Sequence, residues 1–272
     1  MSEQPIGIFD SGVGGLTVCN AINELLPEEN IIYFGDTARF PYGTRTEETI
    51  IRYSKEIVTY LQKRNVKMIV IACNTASASA LDAVKSFVDI PVVGVIEAGA
   101  RAACKKNSNN IIGVIGTRAT IKSESYVRSI LNINKSIKVL QNQATLFVSI
   151  IEEGLTHSEI AKLAVKEYIE EMYSDNVRTL ILGCTHFPLL KDDINDVYPD
   201  LSLIDTGHEI AYEVKQILQE KSLENNLDIL GNKGNIELYA SDITDNLMRL
   251  KDVFFEHKGT SIERLIINGK GM

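Results

Sequence analysis

Two short stretches hold the residues best suited to chemistry. Cys73-Asn74-Thr75 follows the apolar run 68–72, and Cys184-Thr185-His186 follows the run 179–183. Each run is short, aliphatic and uninterrupted, as a buried strand is. Each thiol therefore stands where a strand stops and the chain turns into a helix, the end at which open α/β sheets bind ligands. A helix N-terminus brings unpaired N–H groups and positive dipole to the sulfur, which favours thiolate. A free thiol titrates near ~8.5, so a modest shift makes it a working base at neutral pH. Two thiols in matching settings suggest two half-sites facing one cleft. A base on one face of a carbon and an acid on the other invert a stereocentre, and a thiolate–thiol pair does this in either direction. Asp10 and His186 are candidates to orient the sulfurs or adjust their protonation, and Glu152 either joins them or caps a helix. Cys19 and Cys104 lie on helix faces and read as apolar filling.

Other chemistries fit less of the pattern. Cys73, Cys184 and His186 could ligate zinc, but the Cys-x-x-Cys pairing of structural zinc sites is absent. A Cys184–His186 nucleophile pair leaves Cys73 unused. Asp10-Ser11-Gly12-Val13-Gly14-Gly15, with Asp36 downstream, looks like a dinucleotide fingerprint until Thr17 is met where the third glycine belongs. Its glycines still let N–H groups converge on an anion. Ser11, Asn74, Thr75, Thr117, Thr120 and Thr185 add neutral donors suited to a small carboxylated substrate. Tyr42-Gly43 sits in a loop able to close over the cleft, or in a plain turn centred on Pro41. Pyridoxal chemistry needs a lysine, and none lies in these motifs.

The elements that must position these residues alternate. Strands are expected at 5–9, 30–35, 68–72, 92–96, 110–115, 137–140, 179–183, 202–204, 236–240 and 261–267. The helices between them include 46–64, with Thr44 and Glu47 as a capping box, and 158–173, with Ile160, Leu163, Ala164 and Ile169 inward. Residues 222–235 form a polar surface connection. This alternation means α/β architecture with parallel sheets covered on both faces. There are too many strands for one five-stranded sheet, so two domains with the cleft between them are expected, with seams near Glu97 and Gly207. The 272 residues carry a net charge of −8, which argues against nucleic acid and anionic membrane surfaces as partners. Neither a signal peptide nor a membrane span is read, and four cysteines are no disulfide framework. A cytoplasmic protein with reduced thiols is expected.

The chain also resembles the glutamate racemase family. The resemblance rests on 10–15 (DSGVGG), 35–37 (GDT), 41–43 (PYG), 72–77 (ACNTAS), 94–97 (GVIE), 113–120, 152–154 (EEG) and 183–190 (GCTHFPLL), in family order. It implies two flavodoxin-like domains, the second inserted in the first, dividing the chain as 1–97 plus 207–272 and 98–206. It implies cofactor-independent interconversion of L- and D-glutamate, supplying D-glutamate for peptidoglycan, and a homodimer. Cys73 would take the α-proton of D-glutamate and Cys184 that of L-glutamate. Asp10, Asp36, Glu152 and His186 would be auxiliary acids or bases. Substrate contacts would come from Ser11, Tyr42, Gly43, Asn74, Thr75, Thr117, Thr120 and Thr185, with Asp10 and His186 beside them. Two departures stand out: Ala98 where the family usually has proline, and 144–149 without the prolines and cysteine often found before the paired glutamates. The same-class rivals are aspartate and hydantoin racemases; the different-class rivals are an NAD-type oxidoreductase and a zinc-stabilised interaction protein.

Overall fold

Apolar side chains alternate along the strands, and the alternation assigns them to two faces. In the computed structural model, which describes residues 3–225, 233–255 and 260–267, β1 (Ile6–Asp10) sends Ile6 and Ile8 to one core and Phe9 to the opposite one. β2 (Ile31–Gly35) and β3 (Met68–Ile71) flank it in parallel, and β4 (Val92–Gly94) lies beyond β3. A second sheet contains β5 (Ile111–Gly116), β6 (Lys138–Gln143), β7 (Thr179–Gly183) and β8 (Ser202–Asp205), all parallel, in the order β6-β5-β7-β8. The chain then returns. β9 (Ile236–Ala240) pairs with β2 and β10 (Ile262–Arg264) with β9, completing a six-stranded sheet of order β10-β9-β2-β1-β3-β4. Buried on both faces, such strands read as continuous apolar runs.

Helices cover each face. α1 (Leu16–Leu25), α10 (Thr206–Glu220) and α11 (Asp245–Phe255) bury Leu16, Ile22, Val214 and Leu247 against one side of the larger sheet. α2 (Glu47–Lys63) and α3 (Asn74–Lys85) bury Ile57, Leu61 and Ala80 against the other. On the smaller sheet, α7 (Phe147–Glu152), α8 (Glu159–Ser174) and α9 (Lys191–Val197) pack one face. α4 (Val95–Lys106) and α6 (Ser125–Ile133) pack the other, after the short α5 (Arg118–Lys122). α4 belongs to both bodies, since Val95 and Ala98 join the core under the larger sheet and Ile96 and Ala100 that under the smaller. No helix among the described residues is long and apolar enough to cross a membrane.

Several expectations need correction. The run 92–96 is not all strand: Val95 and Ile96 begin α4, because Gly94 ends the pairing with β3 and apolar residues also suit a helix buried on two sides. Glu97 and Gly207, near the expected seams, lie in the first turns of α4 and α10. The cap of α2 is Thr46, whose hydroxyl accepts from the Thr49 N–H; Thr44 ends a short 3-10 turn. Ile160 and Leu163 point outward, 55% and 66% exposed. The buried stripe of α8 is Ala161, Ala164, Val165, Ile169 and Met172, so Ala164 and Ile169 are inward as expected and an alanine takes the inward place near the helix start. The last strand is shorter than expected, and part of the expected connection 222–235 lies outside the described residues.

Candidate active site

In both sheets the strand order reverses beside the strand that feeds the site. β1 has β2 on one side and β3 on the other, and β5 lies between β6 and β7. Register then levels the exits: Phe9 lies opposite Ile71, and Gly116 opposite Gly183. The next residues therefore emerge together as Ser11 beside Cys73 and Thr117 near Cys184. They meet across a cavity of about 250 Å3 whose wall includes Ser11, Tyr42, Gly43, Cys73, Asn74, Thr75, Thr117, Glu152, Cys184, Thr185 and His186.

Cys73 is the N-cap of α3, and its sulfur accepts from the Ala76 N–H at 3.4 Å. Its Sγ is also hydrogen-bonded to Ser11 Oγ at 3.4 Å. Burial, and next the Asp10 carboxylate, push the thiol up to about 12, against the hydrogen bonds from Ser11 and Ala76. Asp10 itself is buried behind the wall. Burial raises its carboxyl, while His186 and the N–H groups of Gly12, Gly15 and Ser11 oppose the rise. The glycine loop thus turns its N–H groups on the chain's own carboxylate, the Gly12 N–H donating to Asp10 Oδ2 at 2.9 Å. That corrects the expectation of a cradle for an outside anion.

Cys184 lies 3.8 Å from His186 Nδ1, and His186 Nε2 lies 3.0 Å from Glu152 Oε1. Burial alone would lower the His186 pKa. The hydrogen bonds to Cys184 and Glu152 outweigh it and hold the imidazole at about 10, so His186 is imidazolium at neutral pH. Gly14 packs against this turn so closely that a Cβ there would lie 2.5 Å from His186 Nδ1. Thr17, in the place of the missing glycine, donates to Gly14 O at 2.8 Å and Thr185 O at 3.1 Å.

The remaining donors bridge the two bodies. Thr75 Oγ1 is 2.9 Å from Thr117 Oγ1 and 3.3 Å from Thr120 Oγ1, and the last two are 3.0 Å apart. Tyr126 of α6 donates to Asn74 Oδ1 at 2.5 Å, and the Asn74 Nδ2 group is buried with no partner among the described residues.

A family model described as "Asp/Glu/Hydantoin racemase" matches residues 6–214. The chain belongs to the Asp/Glu/Hydantoin racemase family. Over 95% of its length and 95% of the relative's, it is 45% identical to a glutamate racemase of Geobacter metallireducens. It is 50% identical over 78% of its length to one of a Sulfurihydrogenibium species, covering 82% of that relative. The solved glutamate racemase of Francisella tularensis, in complex with D-glutamate, superposes with a TM-score of 0.91 at 38% identity, covering 98% of this chain and 99% of that one.

Within this racemase fold, three residues expected at the site stand behind the cavity wall: Asp10, Asp36 and Thr120. Asp36 is buried, and its oxygens are taken. Arg39 Nε donates to it at 2.6 Å, Ser241 Oγ at 3.0 Å, and the Tyr42 hydroxyl also donates to it. That leaves no oxygen for a ribose, and Asp36 holds Tyr42 in the wall instead of meeting substrate. Among the described residues no three His, Cys, Asp or Glu side chains are grouped to hold a metal ion. The wall also includes Phe40, Arg118, Ala144, Thr145, Val148 and Ser149, not expected as site residues, and Pro41 and Thr44, expected only in a turn and a cap. A signal existed for part of this set. Val148 and Ser149 lie four and three residues before Glu152, the spacing of one helix face.

Proposed function

We propose that the chain is a glutamate racemase that interconverts L- and D-glutamate by two-base proton transfer, with no cofactor. The observation that carries this reading is that Cys73 and Cys184, from the exits of two different sheets, line one cavity of a size suited to a small amino acid. One sulfur takes the α-proton as the C–H bond breaks and an S–H bond forms. The other sulfur delivers its proton to the opposite face of the planar carbanion. Burial holds Cys73 as the thiol, the proton donor, which assigns the accepting role to Cys184. That matches a first turnover from L-glutamate. Neutral donors at Ser11, Asn74, Thr75, Thr117 and Thr185, with the Tyr42-Gly43 backbone, bind the carboxylates. Asp10, Glu152 and His186 govern the protons of the sulfurs, and Thr120 and Asp36 support the wall.

We further propose the division into 1–97 plus 207–272 and 98–206, a homodimer, a cytoplasmic location and a role in supplying D-glutamate for peptidoglycan. The two-sheet topology and the family support these. The deciding experiment is incubation of the purified protein with L-glutamate in deuterated water without additives. Loss of optical rotation with α-deuterium incorporation is expected; unchanged rotation and no exchange would overturn the reading.

A further inference from the structure

Glu152 sits on the last turn of a six-residue helix, α7. The cap after α7 gives Ile150 O and Ile151 O the N–H groups of Leu155 and Gly154, and the carbonyl of Glu152 itself is left to a partner from outside the helix. The partner comes from the other body of the molecule. Arg249, on α11 near the C-terminal end of the chain, donates through Nη2 to Glu152 O at 2.8 Å and Ile151 O at 3.2 Å. The same nitrogen contacts Asn246 Oδ1 at 2.8 Å, which steadies the guanidinium from its own helix. α11 is anchored by Leu247, Leu250 and Phe255 in the core under the six-stranded sheet, whereas α7 packs on the four-stranded one. Gly154 completes the seat. Its φ is +70°, and a Cβ there would collide with Arg249 Nη1. A side chain at 154 would strain the left-handed backbone and push the guanidinium from its present place.

We propose that Arg249 is a positioning residue that clamps the Glu152 turn across the two bodies and so holds Glu152 on His186. The proposal rests on the reading of His186 as the partner of Cys184 in racemisation. A cation on helix-terminal carbonyls is electrostatically favourable, and two carbonyls bound by one guanidinium fix direction as well as distance. Among the described residues, three charged or titratable groups face His186: Cys184 after β7, Glu152 on α7 and Asp10 at the end of β1. Of these, only Glu152 depends on Arg249.

The test uses three variants of the full chain: Arg249→Met, Arg249→Lys and Gly154→Ala. The readouts are kcat, KM and the titration of the His186 imidazole by NMR. In R249M and G154A the His186 midpoint moves to lower pH, because the carboxylate that raises it is no longer held. kcat falls by about tenfold to a hundredfold, as expected when a group near the reacting atoms is misplaced, while KM stays within about twofold of wild type because no substrate contact is lost. R249K, which keeps the charge on a shorter side chain, falls between. An R249M protein with wild-type kcat and wild-type His186 titration overturns the proposal, whatever G154A does. Should R249M not fold, wild-type titration in both R249K and G154A overturns it. If the unmodified protein does not racemise glutamate, the proposed function fails, and the NMR titration still tests the clamp.

Discussion

The two cysteine turns have the same origin in the chain and opposite electrostatics. Both follow a buried strand, and both sulfurs face one cavity. Around Cys73 the nearest groups are a hydroxyl, a backbone N–H and, behind them, a buried carboxylate. Around Cys184 there is an imidazolium backed by a second carboxylate. One surrounding keeps a proton on sulfur; the other sets a protonated histidine beside the sulfur. A reaction that must run in both directions needs an acid and a base at the start of each turnover, and the difference supplies them from two identical side chains.

The largest effect that could break this comparison is removal of either sulfur. Cys73→Ala and Cys184→Ala should each lower racemisation by at least ~10²–10⁴-fold with unchanged circular dichroism. Substantial turnover in either one would sink the two-base assignment. The next test separates the surroundings. A racemase has an equilibrium constant of one, so kcat/KM must fall equally in both directions. The asymmetry therefore shows in isotope effects. His186→Asn should enlarge the α-deuterium effect with L-glutamate, and Asp10→Asn the effect with D-glutamate, each with about tenfold to a hundredfold loss of kcat. Equal effects with both enantiomers would erase the distinction drawn above.

Much of this contrast is readable from sequence, and the rest is not, for physical reasons. Short aliphatic runs at 68–72 and 179–183 mark strands whose ends must carry the thiols, because strands buried on both faces leave only their termini free. The closeness of His186 to Cys184 could not be read so directly, because residues two apart meet only if the strand has ended, and that depends on the turn after Gly183. Asp36 reads as a ribose or acid–base candidate from spacing, yet its oxygens are satisfied by Arg39, Tyr42 and Ser241. The last of these arrives with β9 from the far end of the chain. Tyr126 and Arg249 touch Asn74 and the Glu152 turn from other bodies. Contacts of that kind leave no local pattern. On α8, Ile160 and Leu163 mislead because the inward face runs through Ala161, Ala164, Val165, Ile169 and Met172, a stripe whose first turns are marked by alanines.

pH offers a subtler probe of the Cys184 side. His186 is raised from 6.5 to about 10 in the folded protein, so its contribution to stability is fully present below pH 6.5 and is lost as pH rises through about 10. Denaturation midpoints should fall across that window in wild type and stay flatter in His186→Asn, and kcat/KM should decline over the same alkaline range. A midpoint that is flat in wild type would contradict the imidazolium. The smallest effect concerns the Cys73 side. Tyr126→Phe removes the hydroxyl that fixes the Asn74 amide, a loss of about 1 kcal/mol, and should raise KM by about fivefold with kcat nearly unchanged.

The three threonine hydroxyls that join the two bodies have a consequence for how tightly anything can be held between them. Thr75, Thr117 and Thr120 already bond to one another, so a carboxylate arriving there exchanges existing partners for new ones and gains only the modest difference. A grip of that strength would favour quick departure of a product that differs from its precursor only in handedness.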